Sequence, residues 1–151
     1  MTDPVKAYLN SVVECRMEIR RCRRKLEMLE ARAMSITSQL TGMPRGGSAD
    51  RDAVLAALAD ASAEYYARLR SAELRELEVG QLIDSIPDQT YRIILRLRYL
   101  ERKRWPDILS LLHKEGICED RSWMFRLHGK ALNAARIKYK ERYPYDETGD
   151  P

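Results

Sequence analysis

The amino-acid sequence predicts an all-α protein, in which a long antiparallel helical hairpin of the coiled-coil type precedes a three-helix domain. Apolar residues recur at coiled-coil spacing from Val5 onward, and helical spacing continues through most of the chain. Charged residues make up 33% and aromatic residues 7% of the composition, a balance that favours long helices over a sheet. We predict the hairpin over residues 1–86, the three-helix domain over 87–143 and a flexible tail over 144–151.

The first long helix begins at Asp3 and Pro4, where the carboxylate can accept from unpaired N–H groups of the first turn. An apolar residue then returns about every 3.5 positions, which indicates a coiled-coil seam. The heptad a positions are Val5, Val12, Ile19, Leu26, Ala33 and Leu40, and the d positions are Tyr8, Cys15, Cys22, Leu29, Ile36 and Met43. Because Cys15 and Cys22 fall on this seam, we interpret them, like Cys118, as reduced thiols rather than redox or metal-binding groups.

The stretch MPRGGS, residues 43–48, ends the first helix because proline and paired glycines do not continue it. It lacks the preceding strand and the lysine–hydroxyl ending of a phosphate-binding loop, so a turn is the favoured interpretation. A second helix should follow a cap at Ser48 or Asp50 and run from about Arg51 to Ser85. Two helices of similar length joined by a tight turn predict an antiparallel hairpin.

The second helix carries its own apolar stripe, which we expect to face the first helix. The stripe consists of Leu55, Leu58, Tyr65, Leu69, Ala72, Val79, Ile83 and Ile86. Leu74, Leu77 and Leu82 lie off this stripe and would stay partly exposed in a lone hairpin. A single seam rarely stands alone in water, so we expect the hairpin to pair with a second copy or with the three-helix domain, and a homodimer is the default.

Charges predict the register of the hairpin. With the turn near residue 47, Arg16–Arg23 face the acidic residues of Glu73–Glu78, and Glu27 and Glu30 lie near Arg68. Such ion pairs are weak singly but together favour one register. The basic cluster Arg16–Lys25 therefore has a structural explanation, with a nucleic-acid-contacting patch as the alternative.

Residues 88–116 predict two shorter helices. Asp88 can cap a helix over Gln89–Leu100. A second helix should start near Pro106, because proline suits the first helical position, and end at Gly116. The inward residues are Ile94, Leu97 and Leu100 in the first of these helices and Ile108, Leu111 and Leu112 in the second.

A third helix should follow a cap at Asp120. We expect its inward residues to be Met124, Leu127, Ala131, Ala134 and Ala135. A short helix, a turn and a longer cationic helix are typical of a helix-turn-helix reader, whose second helix enters the DNA major groove with its N-terminal residues nearest the bases. Residues 87–143 carry 14 basic and 7 acidic side chains, and this net charge of +7 suits phosphate binding.

Side-chain geometry assigns roles within this motif. The candidates for base contact are Arg121, Ser122, Trp123 and Arg126, and those for phosphate contact are Arg102, Lys103, Arg104 and Lys130. An arginine fork matches O6 and N7 of guanine, whereas phosphate contacts position the protein without reading sequence. Two structural alternatives stay open: Trp123 wedged against Trp105 in the core, and Arg102–Arg104 as an exposed cationic turn.

The segment IILRLRYLERKRWPDI, residues 93–108, resembles the fourth region of the sigma-70 class of bacterial sigma factors, where an LRY helix precedes a helix containing tryptophan. The segment FRLHGKAL, residues 125–132, and the PRGGS turn are similar to small phage-borne proteins with a sigma-region-four-like helix-turn-helix, grouped with the ArpU-type and RinA-type late transcription regulators. This resemblance implies DNA binding in transcription regulation and contact with bacterial RNA polymerase. The chain departs from the family in HKEGICEDRS, residues 113–122, which is longer than the usual turn and leaves the docking angle open.

Other chemistry has little support in the sequence. It contains no catalytic triad pattern, nucleotide loop or paired-carboxylate motif, so we predict a non-enzyme that needs no cofactor. His113, Cys118 and His128 are the metal-ligand candidates, but structural zinc takes four ligands, so packed or surface histidines are favoured over a metal site. The sequence lacks an apolar run of about 18 residues and a signal-peptide core, and we expect a cytoplasmic protein without membrane contact.

Two other functions stay open beside that of a DNA-binding regulator. Small terminase-like recognition subunits of phage packaging machines also combine helix-turn-helix readers with helical oligomerisation segments, and a ring of many subunits would favour that function. A coiled-coil adaptor whose basic helices bind an acidic protein is the other alternative. Binding to an acidic peptide in place of duplex DNA would favour the adaptor.

Overall fold

The computed structural model describes residues 3–39 and 48–144, and the secondary structure within these ranges is helical, which confirms the all-α class. The helices are α1 Pro4–Gln39, α2 Ser48–Asp84, α3 Gln89–Leu95, α4 Trp105–Lys114 and α5 Arg121–Arg142. A π-helical turn, Arg96–Leu100, continues α3. The predictions for the turn at residues 43–47, for seam positions Leu40 and Met43 and for the tail beyond residue 144 lie outside the described residues.

Aspartate caps begin three of the helices, as the sequence predicts. The Oδ1 atoms of Asp3, Asp88 and Asp120 accept from backbone N–H groups two or three residues ahead, at 3.1 Å from Val5 and 2.7 Å from Trp123, for example. Each bond satisfies a donor that has no partner within its helix.

In the described residues no helix is both long and apolar enough to cross a bilayer.

Gly116 ends α4 in a Schellman motif. Its φ of 71° is left-handed, its N–H donates to His113 O at 3.0 Å, and the N–H of Ile117 donates to Leu112 O at 2.9 Å. These two bonds satisfy carbonyls at the end of α4. The connection to α5 is longer than a tight turn because it contains this helix end, the buried Cys118 and the Asp120 cap.

The described chain divides into two compact units. The larger unit comprises Met1–Val13 and Arg75–Pro151, and the smaller unit comprises Glu14–Leu74. The start of α1 and the end of α2 therefore belong to the same unit as α3, α4 and α5. The division into a 1–86 hairpin, an 87–143 domain and a 144–151 tail stays a prediction.

One apolar core holds the larger unit together, and all five helices contribute to it. Its fully buried members include Leu9 of α1, Ile83 of α2, Leu95 of α3, Leu112 of α4 and Met124 of α5. The first turns of α1 also contact the C-terminal half of α5. The centres of the Tyr8 and Tyr139 rings lie 5.1 Å apart. This core fixes how α5 is held and which of its faces stays outside.

In the smaller unit α1 and α2 contact each other in antiparallel order. Arg68 Nη2 lies 3.9 Å from Glu18 Oε1, whereas Lys25, further along α1, lies 3.6 Å from Glu64, further back on α2. The predicted register is wrong in detail, because Glu18 stands beside Arg68 in place of Glu27 or Glu30. Seam packing, including the buried side chain of Cys22, outweighs exposed ion pairs that contribute about 0–1 kcal/mol each.

Burial at Leu55, Leu82 and Leu111 differs from the predicted apolar faces. Val54 is buried in place of Leu55, which is 45% exposed, because one residue along a helix turns the side chain by about 100°. Leu82, expected to stay partly exposed, is buried in the core of the larger unit. Leu111, expected to face inward, is 36% exposed at the edge of an open groove beside Ile93.

Candidate functional site

The first turns of α5 project four candidate base-contacting side chains away from the core. Arg121, Ser122 and Arg126 are exposed, and Trp123 is 40% exposed. The opposite face of the helix is anchored by residues that include Met124, Leu127, His128, Ala131, Ala135 and Tyr139. Apolar residues at helical spacing therefore determine which side chains remain outside.

Three of these four side chains border one shallow groove of about 470 Å³. The groove is lined by Gly116, Ile117, Glu119, Asp120, Ser122, Trp123 and Arg126. Arg121 lies outside it and places its guanidinium carbon 5.5 Å from the ring centre of Phe125. The groove combines an aromatic surface, a guanidinium and a hydroxyl with two carboxylates, of which Asp120 already accepts from the Trp123 N–H.

Trp123 does not pack against Trp105. Its ring lies 5.4 Å from Lys130 Nζ, a contact between groups seven residues apart on the same helix. The Trp105 ring lies against Phe125 at 5.2 Å and against His128 at 4.7 Å. The alternative in which Trp123 fills the core is therefore wrong, and Lys130, a phosphate-contact candidate, stands beside a base-contact candidate.

The other three phosphate-contact candidates form the loop between the π-helical turn and α4. Arg102 is exposed and has a φ of 58°, a left-handed conformation that is costly for a residue with a Cβ. The N–H of Lys103 donates to Leu97 O at 2.9 Å. Arg104 is exposed, and its Nε lies 3.4 Å from Asp107 Oδ2. Backbone hydrogen bonds thus define the conformation of the loop, and the side chains of Arg102 and Arg104 at its two ends are exposed to solvent.

Arg98 positions this loop, and the sequence analysis did not identify it. Its Nη1 donates to Lys103 O at 3.2 Å, and its guanidinium carbon lies 4.5 Å from the centre of the Trp105 ring. An arginine held between an aromatic face and a backbone carbonyl ties the loop to α4. Its only sequence signal is its place in the LRY motif, which does not reveal these contacts.

His128 is a packed histidine rather than a ligand. Its Nε2 lies 2.9 Å from the Tyr99 hydroxyl, and the two rings stack with centres 5.8 Å apart. Burial, together with the positive charges of Lys6 and Arg98, lowers the pKa of His128 to about 4, so the imidazole is neutral at pH 7. Burial also raises the pKa of Tyr99 to about 12.

The three metal-ligand candidates have separate environments. His113 is exposed at the end of α4, whereas Cys118 is buried and its thiol donates to Asp120 O at 3.0 Å. Burial raises the pKa of the Cys118 thiol, which keeps it protonated. Within residues 3–39 and 48–144, His, Cys, Asp and Glu side chains form no group of three that could hold a metal ion.

Comparisons with known proteins found no relative of this chain. The chain matches no protein-family model, no curated protein and no solved structure. The exposed turns of α5, the cationic loop before α4 and the core that holds them are therefore the features that bear on function.

Proposed function

We propose that this protein binds duplex DNA in a sequence-specific manner and acts in transcription regulation. In this proposal α4 and α5 form a sigma-region-four-like helix-turn-helix, and an antiparallel coiled-coil hairpin formed by α1 and α2 precedes it. The observation that carries the proposal is the orientation of α5: its anchoring face is apolar, and its first two turns present Arg121, Ser122, Trp123 and Arg126 to solvent. A reading helix needs this arrangement to place its leading side chains at base edges.

Arginine is the side chain in this set with the greatest capacity to discriminate bases. A guanidinium that bonds both O6 and N7 of guanine discriminates against the wrong base by about 1–3 kcal/mol. Arg126 borders the groove with Trp123 and Ser122, so a fork, a flat aromatic face and a hydroxyl act together there. The Trp123 ring contacts the Lys130 ammonium, which we propose binds a neighbouring phosphate of the DNA.

The loop of Arg102, Lys103 and Arg104 supplies the remaining phosphate contacts in this proposal. Arg104 shares its charge with Asp107, but both side chains are largely exposed, and a pair of this kind contributes only about 0–1 kcal/mol. A phosphate can therefore compete for the guanidinium. Glu119 and Asp120, at the edge of the groove, oppose approach to arbitrary phosphates and so favour selective over non-specific binding.

We further propose that two copies bind together, since paired readers match paired half-sites on DNA. Contact with bacterial RNA polymerase belongs to the proposal through the resemblance alone. A dimer is the expected state of a regulator, whereas a ring of many copies would support the alternative of a terminase-like recognition subunit.

The proposal is tested by selecting bound fragments from random duplex DNA and measuring the affinity of the enriched duplex by fluorescence anisotropy. We expect one enriched sequence, an affinity that falls steeply with salt, and weaker binding by Arg126→Ala. Arg32→Ala, which removes the same charge from an exposed position in the smaller unit, is the matched control. Failure to bind duplex DNA at low salt, or tighter binding to an acidic peptide, would refute the proposal and favour an adaptor.

A further inference from the structure

The outward face of α2 carries a second apolar stripe that no other part of the described smaller unit covers. Leu55 is 45%, Tyr66 63% and Leu74 53% exposed. This stripe, called here the outer stripe, consists of Leu55, Ala59, Ala63, Tyr66, Arg70 and Leu74, all exposed. Its spacings of three and four residues keep the six side chains on one side of the helix. Large exposed apolar side chains aligned on one face indicate an interaction surface.

The inward face of α2 is already occupied, so the outer stripe is a separate surface. Tyr65 accepts from Arg23 Nη2 of α1 at 3.1 Å, whereas its neighbour Tyr66, whose ring centre lies 5.5 Å from that of Tyr65, is largely exposed. Val54 and Ala61 are buried on the inward side. The helix therefore has two apolar faces, of which the fold of one chain uses one.

The outer stripe is self-complementary when two copies of α2 lie antiparallel. A two-fold axis between Glu64 and Tyr65 places Ala63 opposite Tyr66 of the other copy, Ala59 opposite Arg70, and Leu55 opposite Leu74. Each small side chain then receives a large one, and the leucines meet at both ends of the contact. A sequence with this symmetry satisfies the condition of an isologous interface, in which one patch pairs with itself.

Charge complementarity supports the same register. Asp60 is exposed next to Ala59, so the pairing brings its carboxylate towards Arg70 of the other copy at each end of the contact. Within one chain these two groups are ten residues apart on a helix, about 15 Å, and cannot pair. Parallel pairing would instead place Arg70 against Arg70 and Tyr66 against Tyr66.

We propose that the outer stripe is the surface on which a second copy of this chain docks, with the two α2 helices antiparallel. This inference rests on the proposed pairing of two copies and assigns a surface and a register to it, but it does not depend on DNA binding. The DNA-reading residues belong to the larger unit, so both activities can be measured separately in the full chain.

The test is sedimentation equilibrium of the full chain at micromolar concentration, for which we expect a dimer. Tyr66→Asp should weaken the dimer by roughly tenfold or more, because a buried carboxylate would face Ala63 without a partner. Ile137→Asp, a comparable change at a 60% exposed position of α5, should leave the dimer unchanged. Circular dichroism should show the same helix content in all three proteins.

A charge exchange tests the register. Arg70→Asp should weaken the dimer, and adding Asp60→Arg to the same chain should restore it, since the pair is re-formed between copies with its charges reversed. A monomeric wild type, a dimer that tolerates Tyr66→Asp, or a charge exchange that fails to restore the dimer would each overturn the inference. A dimer that behaves as expected but binds no duplex DNA would leave it standing and refute the proposed function alone.

Discussion

Lys103 and Arg126 each carry one positive charge, but their surroundings predict different contacts with DNA. Lys103 belongs to the loop before α4, whereas Arg126 borders the groove at the start of α5. We expect Lys103→Ala to weaken binding to all duplexes alike and to reduce the salt slope by about one unit. Arg126→Ala should relax base preference at one position, with a loss of about 1–3 kcal/mol of discrimination. Anisotropy titrations on the selected duplex and its single-base variants, at several salt concentrations, measure both effects.

The two variants serve as controls for each other because each removes one charge. If both changed affinity and base preference to the same extent, the division of labour between loop and helix would be wrong. If only Lys103→Ala mattered, binding would be electrostatic without sequence readout.

His128 makes the stability of the larger unit depend on pH. The unfolded chain takes up a proton near the ordinary histidine pKa of 6.5, whereas the folded chain resists protonation until the pKa of about 4. The free energy of unfolding is therefore unaffected by this group above pH 6.5 and falls as the pH drops towards 4, by roughly 2 kcal/mol between pH 7.5 and pH 5. Urea unfolding followed by tryptophan fluorescence at these two pH values measures the change.

The variant His128→Gln separates this effect from that of the carboxylates. Glutamine does not titrate, and its amide can still hydrogen-bond the Tyr99 hydroxyl, so the variant should lose stability at pH 7.5 but show a smaller drop on acidification. An equal drop in the wild type and in the variant would show that His128 is not the titrating group.

At the scale of the single helix, we expect substitution by alanine to change stability in opposite directions at Gly116 and at Gly129. Gly116 has a φ of 71°, and a Cβ there would meet no atom within 4 Å, so Gly116→Ala should destabilise by about 1 kcal/mol through backbone conformation alone. Gly129 lies inside α5, exposed and with equally open surroundings, so Gly129→Ala should stabilise by about 0.5–1 kcal/mol. Thermal unfolding of the two variants tests the signs, and destabilisation by both would contradict this account of the α4 end.

Local signals in the sequence predicted most of the helices and their ends. Asp3, Asp88 and Asp120 cap helices because each needs only its own side chain and the next three residues. Gly116 ends α4 for the same local reason. The outward positions of Arg121, Ser122 and Arg126 also followed from periodicity, since a helix with one apolar face exposes the other.

Contacts between distant segments could not be derived from such signals. Exposed ion pairs are too weak and too interchangeable to determine a register, so Glu18 rather than Glu27 lies near Arg68. The contacts of Arg98 depend on a π-helical turn whose hydrogen bonds have no sequence signature. The sequence already favoured a packed or surface histidine over a metal ligand at His128, but its contacts with Tyr99 and Trp105 follow only from the fold.

At the scale of the whole molecule, the first turns of α1 stabilise α5, the helix that we propose contacts the DNA bases. Asp3 Oδ2 accepts from Arg136 Nη2 at 2.6 Å, and the Tyr8 hydroxyl lies 3.3 Å from that of Tyr143. Leu9 is fully buried in the core that also holds Met124. Residues near the start of the chain therefore stabilise a unit whose other parts lie more than sixty residues later.

This packing predicts that Leu9→Ala destabilises the larger unit without touching the proposed DNA contacts. Truncating a fully buried leucine removes apolar burial and leaves a cavity, at a cost of about 2–5 kcal/mol. Trp105 and Trp123 both belong to the larger unit, so urea unfolding followed by tryptophan fluorescence reports on it directly. Met34→Ala, at a 74% exposed position of α1 in the smaller unit, should change stability by no more than about 0.5 kcal/mol. A fluorescence transition left unmoved by Leu9→Ala would show that the start of α1 does not support α5, and that the 87–143 segment stands alone.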